Sequence, residues 1–370
     1  MENDPDQVDA GRRTLARWML GCWRAQDDAL HQTALDGLMR LAWSEGVILL
    51  VGEGLAGCVQ ANAQAVHQSS QDWTRGQAAA ELGRRARLQA LLGCLQQAGV
   101  GTLVLKGAAL ARWLYPAPYL RESSDVDLLF ASRSDALRAA TALRELGYAM
   151  PYQAGRFQHE LACCGEGLPD LDLHWALTDW PALHHLPGFD TLLAASIPLP
   201  GLGANARGLD AAHALLHACV HRASNLAAGL GDRLKWLYDL HLLAAVLDRD
   251  AEWSRFTAIC QLAQVCGIVD EGLSASAELF GTEVPEAVAQ SLAEARRSES
   301  LDASRLSDWR YIQKSNFAAL EGWNNRLAWL GQRLLPAPGY LRALYGEDQA
   351  YPQLLWRRVR RAGSRLAGRS

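Results

Sequence analysis

Apolar residues change their spacing twice along the chain. Near the start, Leu15, Met19, Leu20 and Trp23, then Leu30, Ala34, Leu38 and Leu41, recur mostly at intervals of three and four, which predicts helices. Another helix is predicted over 84–97, stopping at Gly99. The texture then shifts. Residues 101–105 and 125–130 are short apolar runs of strand type, separated by a helical pattern over 108–114 and a turn-rich stretch holding Pro116, Pro118, Ser123 and Ser124. A helix over 134–146 carries a serine at its start and Gly147 just past its end. Three further strands are predicted over 148–153, 157–163 and 170–177. From Asp210 the helical period returns in three amphipathic segments, 210–221, 232–247 and 253–267. A turn and short helix follow over 336–345. No internal repeat is present.

This pattern predicts an α+β fold, a small mixed β-sheet with helices packed on it, flanked by helical regions. The expected division is an N-terminal helical region (1–98), an α/β core (99–205), a C-terminal helical domain (206–346) and a basic tail (347–370). The 370 residues agree with roughly two to three domains.

Composition narrows the function classes. The chain is 49% hydrophobic and 21% charged, a globular balance rather than a disordered one. A net charge of −4 gives no overall basic excess for non-specific nucleic-acid binding, so nucleic acid is not indicated as a partner. Eight cysteines contain no C-x-x-C pair, which argues against a zinc knuckle or thioredoxin motif and predicts reduced thiols in a cytoplasmic protein. The acidic, polar N-terminus does not read as a signal peptide. No run of about 18 uncharged apolar residues predicts a membrane span. Within the basic set the balance is uneven: of 36 Lys+Arg only Lys106, Lys235 and Lys314 are lysines. A GC-rich genome explains the bias, and the question becomes where the lysines fall.

The first chemical signal is Asp125-Val126-Asp127 in an apolar strand. Residues i and i+2 share a face, about 6.6–7 Å apart. Two such carboxylates repel, and burying them without a cation costs several kcal/mol. A hard divalent cation relieves this, since Mg²⁺ binds through one or two carboxylates plus substrate phosphates. The alternative is a strand end with both carboxylates in solvent. Asp172 adds to the first reading: in Asp170-Leu171-Asp172-Leu173-His174-Trp175 the leucines alternate with Asp172 and His174, so one face is acidic. One helix and two strands separate Asp127 from Asp172, so the two acidic strands can lie close in one sheet. Three carboxylates suit a two-metal phosphoryl-transfer site. Lys106-Gly107 ends a strand and begins a helix, a place where backbone N–H groups and the helix dipole favour phosphate. Lys106 supplies a point charge, and Arg121 stands four residues before Asp125. Each of these also reads as a turn glycine or a solvated charge.

The segment LVLKGAALARWLYPAPYLRESSDVDLLF resembles the signature of the uncharacterised nucleotidyltransferase family within the DNA-polymerase-β-like superfamily. The shared order is strand, Lys-Gly, helix, Tyr-Pro, Arg, then Asp-hydrophobic-Asp. Asp172-Leu173-His174-Trp175 and 234–239 (LKWLYD) are similar to later elements of the family. The superfamily usually has Gly-Gly or Gly-Ser where this chain has Lys106-Gly107. The resemblance implies a polymerase-β-like core and two Mg²⁺ ions, with Mn²⁺ as the alternative, held by Asp125 and Asp127. Asp172 would complete the second site and help deprotonate the attacking hydroxyl. Lys106, Gly107 and Arg121 would hold the phosphates of an NTP, with ATP the first expectation. The implied reaction is in-line attack on the α-phosphorus with release of pyrophosphate. The acceptor is open, with a glycan, peptide or protein as candidates.

Other motifs carry two readings each. Gly52-Glu53-Gly54-Leu55-Ala56-Gly57 matches G-x-G-x-x-G after VILLV, but no second parallel strand follows within the required unit. A break between two helices is the expected outcome. His213, His217 and His221 share a helix face, read as a zinc site, a cleft wall or packing. Lys235 and Asp239 are spaced for a surface ion pair, or place their helix against the nucleotide as a cleft wall. Tyr238 reads as a base-stacking ring or as core. The arginine-rich C-terminus reads as a solvated tail or as a contact for an acidic partner or RNA. Arg207 and His213 fit the loose R-x4-6-H pattern of toxin ribonucleases. Alternatives to transfer are therefore a nucleotide- or partner-binding module of the same fold, and a toxin–antitoxin component.

Overall fold

The computed structural model describes residues 5–247, 249–346 and 349–366. The N-terminal helices are α1 (Pro5–Met19), α2 (Gln32–Ser44), α3 (Ile48–Gly54) and α4 (Ala61–Gln97). The central region contains β1 (Leu103–Val104), α5 (Lys106–Trp113), β2 (Asp125–Leu129), α6 (Arg133–Ala142), β3 (Glu160–Cys163), β4 (Asp170–His174), α7 (Phe189–Ala195), β5 (Ile197–Pro198) and β6 (Arg207–Gly208). Helices α8 (Ala211–Ala227), α9 (Leu234–Val246), α10 (Asp250–Ala263), α11 (Cys266–Phe280) and α12 (Glu286–Ala295) follow. The last four are α13 (Trp309–Ala319), α14 (Trp323–Leu334), α15 (Pro338–Tyr345) and α16 (Tyr351–Leu366).

The six strands lie in the order β3-β4-β2-β1-β6-β5. β2 and β4 are parallel, and so are β1 and β6; the other neighbours are antiparallel. The fold is thus mixed α+β, with one mixed sheet among many helices. Alternation along the strands sorts their side chains. Leu128, Leu161, Leu171 and Leu173 are buried against α4 and α6, where Leu88, Leu91, Leu95, Ala136 and Ala139 meet them. Leu103, Leu105 and Leu129 point the other way and join a second core made by α1, α3 and α8–α12. Asp127, between Val126 and Leu128, falls on that second face.

Helix ends follow local chemistry. Ser132 caps α6 by accepting from the Asp135 amide, and Gly147, with φ 90°, ends the 3₁₀ turn that continues that helix. Asp210 caps α8 by accepting from the His213 amide. The Gly52–Gly57 stretch is the end of α3 and the turn after it, so no strand precedes the glycines. A Cβ at Gly54 would collide with the backbone carbonyl of Trp18, which explains a glycine there by close helix approach rather than phosphate binding.

Four expectations change. The helix predicted over 84–97 is the end of α4, which begins at Ala61; its first half buries only Ala63, Val66 and Ser70, too thin a stripe to register as a period. The strand expected over 148–153 reduces to one bridge between Ala149 and Cys164, because Pro151 cannot donate to a ladder. β5 and β6, two residues each, carry no sequence signal. The region expected as a basic tail contains α16, with Leu354 fully buried; residues 347–348 and 367–370 lie outside the described residues. The N- and C-terminal helical regions also share one core, and Glu45 Oε2, at the end of α2, accepts from the Leu234 amide at the start of α9, 2.7 Å away. Among the described residues no helix is long and apolar enough to cross a membrane.

Candidate active site

The site grows out of strand register. Asp127 on β2 pairs directly with Asp172 on β4, and Leu129 with His174. Side chains directly across a ladder share a face, so Asp127, Asp172 and His174 converge. Their ligand atoms all lie within 4.8 Å of one another. Asp125 lies on the same face at the start of β2, where Ser123 Oγ donates to its Oδ1 at 3.1 Å.

Asp127 is 2% exposed and holds two donors on one oxygen. Lys106 Nζ is 2.6 Å and His174 Nε2 2.9 Å from its Oδ1. Burial alone would raise its pKa, but the hydrogen bond from His174 and the charge of Lys106 hold it well below the usual carboxylate range. Asp172 goes the other way. Burial, then the charges of Glu160 and Asp127, push it up to about 6. A half-buried carboxylate crowded by anions is stabilised by a cation, and the donor set of two carboxylates and an imidazole fits a divalent ion. Glu160 Oε2 lies 3.6 Å from His174 Nδ1, so the imidazole sits between two carboxylates.

Lys106 is held by its backbone as well. It is one of two non-glycine residues with positive φ among those described, at 49°. It opens α5 from the left-handed region, a cost of about 1 kcal/mol for a residue with a Cβ. The backbone there holds a conformation that glycine adopts more readily. The next residue, Gly107, is closely packed: a Cβ on it would lie 3.0 Å from Ser123 Oγ and 3.1 Å from Arg121 Nη1.

Arg121 does not stand free. Its Nε and Nη2 bind the two oxygens of Asp239 at 2.8 and 2.7 Å, and Tyr115 Oη donates to the same carboxylate at 2.7 Å. Asp239 is therefore the partner of Arg121, not of Lys235. Burial disfavours the Arg121 charge, but Asp239 outweighs it and raises the pKa further. Lys235 has no ion-pair or hydrogen-bond partner among the described residues. Burial, then Arg121 and Arg233, lower its pKa. Its stem lies over Gly46, where a Cβ would be 2.8 Å from Cδ.

A cavity beside the carboxylates is lined by Lys106, Arg121, His217, His221, Trp236 and Asp239, among others. His217 and His221 thus form a cleft wall on α8. Burial, then the positive charge of Lys106, pushes His217 down and His221 down to about 3, so both are neutral. His213 is not with them: its Nδ1 lies 2.8 Å from Asp210 Oδ1 at the helix cap. Tyr238 packs in an aromatic cluster with Tyr115, His241 and Phe280, away from the acidic group. Arg207 bonds Ser196 rather than meeting His213. Sequence reasoning missed Glu160 and Tyr115. Alternation along β3 puts Glu160 on the acidic face, whereas Tyr115 reaches Asp239 only through the tertiary fold.

The model of the uncharacterised nucleotidyltransferase family matches residues 31–281, from α2 to just past α11. The chain belongs to that family. The match spans the whole sheet and the helices that cover its acidic face, so the nucleotidyltransferase assignment rests on the same elements that assemble the Asp127–Asp172–His174 group. No curated protein and no solved structure matches the chain.

Proposed function

We propose that the protein is a Mg²⁺-dependent nucleotidyltransferase that moves an NMP from an NTP to a hydroxyl or phosphate of an acceptor. The observation that carries this reading is the register of Asp127 with Asp172, which gathers two carboxylates and His174 beside the Lys106-Gly107 start of α5. Asp125, Asp127 and Asp172 would hold one or two divalent ions, and the imidazole in the set makes Mn²⁺ an effective substitute. A bound divalent ion there supplies phosphate charge neutralisation and a lower pKa for the attacking hydroxyl. Lys106 and the unpartnered Lys235 attract the triphosphate. Arg121, engaged with Asp239, keeps the loop bearing Ser123, which leads into Asp125, against Gly107. His174 orients Asp127 through Nε2. Neutral His217 and His221 line the cleft without adding charge.

The test is transfer itself. The protein is incubated with each α-labelled NTP, Mg²⁺ or Mn²⁺, and fractionated cell extract, and pyrophosphate release is followed in parallel. Label on an acceptor or on the protein, lost in Asp127→Asn, supports the proposal. Neither label nor pyrophosphate with any NTP sinks it.

A second reading draws on the Lys106–Asp127 ion pair, in which an ammonium already neutralises the buried carboxylate. The fold would then bind nucleotide without transferring it. NTP binding of equal strength with Mg²⁺ and with a chelator favours this reading, and metal-dependent binding favours transfer.

A further inference from the structure

Beyond Glu160 the acidic face opens into a second cavity, of about 220 Å³, between the 153–158 loop and helices α14–α16. Its lining is partly acidic. Glu160 stands directly opposite His174 in the ladder, and Asp179 joins it there. The lining also carries Arg333 on α14 and Arg358 on α16. Arg333 lies 4.3 Å over the Trp329 ring and Arg358 lies 5.8 Å over the Tyr340 ring. Both guanidinium groups are half-buried, and neither has an ion-pair partner among the described residues. Trp329 is 3% exposed, lines the same cavity, and its indole N–H has no hydrogen-bond partner. Partly desolvated donors left open beside a cavity are a cost unless a ligand meets them.

Two guanidinium groups lining one cavity match a phosphomonoester dianion better than a single carboxylate. The Glu160 and Asp179 carboxylates repel that group, which favours its seat on the arginines. We propose that this cavity is the acceptor subsite, and that the acceptor carries a phosphomonoester held by Arg333 and Arg358, with its reacting hydroxyl directed toward Asp172. This rests on the transfer reading for the assignment as acceptor site, but the phosphate site stands on its own observations. In the transfer step the acceptor oxygen forms a bond to the α-phosphorus of the NTP. The bond from that phosphorus to the bridging oxygen breaks, the hydroxyl proton passes to Asp172, and pyrophosphate leaves.

Inorganic phosphate, acetate and ATP with Mg²⁺ are each titrated into the full-length protein by calorimetry. Phosphate is expected to bind, and Arg333→Gln/Arg358→Gln is expected to weaken it by about tenfold or more per guanidinium removed. ATP affinity in that variant stays within about twofold, because the nucleotide side is separate. Arg333→Lys/Arg358→Lys, which keeps both charges, gives an intermediate loss, and a thermal melt of each variant confirms the fold. Phosphate binding unchanged in the double Gln variant overturns the proposal. Equal loss of phosphate and ATP also overturns it, by assigning the arginines to the nucleotide. Acetate binding as tight as phosphate overturns the phosphomonoester assignment. Failure of the wild-type protein to bind ATP strikes the transfer reading alone, since the phosphate titration needs no nucleotide.

Discussion

Arg121 and Asp239, 118 residues apart in the chain, form a bidentate ion pair buried between the loop before β2 and helix α9. The pair clamps the strand that carries Asp125 and Asp127 to the helical layer above the cleft. Removing one partner leaves a buried charge unmet, which costs about 3–5 kcal/mol. Asp239→Ala is therefore expected to lower the thermal midpoint steeply. Arg121→Lys should recover only part of the loss, because an ammonium cannot engage both oxygens in one plane. Denaturant melts of the two variants check this, and a midpoint within error of wild type for Asp239→Ala would refute it.

Lys106 combines an unfavourable backbone with a favourable charge. Its φ of 49° favours glycine, while its ammonium neutralises Asp127. Substitution should separate the two. Lys106→Gly relieves backbone strain of about 1 kcal/mol but strips a buried carboxylate of one cation. Lys106→Met keeps the strain and loses the charge. The melting temperature of Lys106→Gly should therefore exceed that of Lys106→Met, while both weaken NTP binding. Retention of NTP affinity in Lys106→Arg, whose reach and shape differ, would show that any cation serves.

Much of the site was legible in the sequence because it follows from a period of two. Alternation along 125–127 and 170–174 places Asp125, Asp127, Asp172 and His174 on one face, and a parallel register then brings them together. Lys106-Gly107 was legible from its place between a strand and a helix. The ion pair of Arg121 was not, since its partner lies on a helix far along the chain and the local spacing pointed to Lys235 instead. Tyr238 carried two readings, base stacking or core, and the Tyr115, His241 and Phe280 rings around it agree with core, although one aromatic in an amphipathic helix gives no sign of those neighbours. The fold was legible where strands were apolar and capped, and not in β5 and β6, which are too short to show a pattern.

Asp210 makes the start of α8 sensitive to acid. Burial opposes its charge, but hydrogen bonds from His213 and Arg255 outweigh this and bring its pKa down to about 2. A carboxylate whose pKa is depressed by folding stabilises the protein above its unfolded value near 4. That contribution fades as pH falls from about 4 to about 2. The expected size is about 1–2 kcal/mol, allowing for the half-exposed Arg255. Asp210→Asn keeps a capping oxygen but has nothing to titrate. The difference in stability between wild type and Asp210→Asn should shrink as pH falls through this window. A constant difference from pH 5 to pH 2 would rule the mechanism out.

Asp172 sets stability against function. Its carboxylate faces Asp127 across the ladder and is crowded by Glu160, so its negative charge opposes folding when no cation is bound. Asn has nearly the same shape and no charge. In a chelator, Asp172→Asn should therefore be more stable than wild type by about 1 kcal/mol, as expected for a functional site that carries unfavourable charge. Adding Mg²⁺ or Mn²⁺ should reverse the order. Wild type gains stability by mass action, about 2.7 kcal/mol when the ion is at a hundred times its Kd, whereas the variant has lost a ligand and gains much less. Paired melts with and without the ion test both halves. If the variant is the less stable protein in chelator, the carboxylates do not repel as their register implies. If both proteins respond equally to the ion, Asp172 is not among its ligands, and the metal must rest on Asp125, Asp127 and His174.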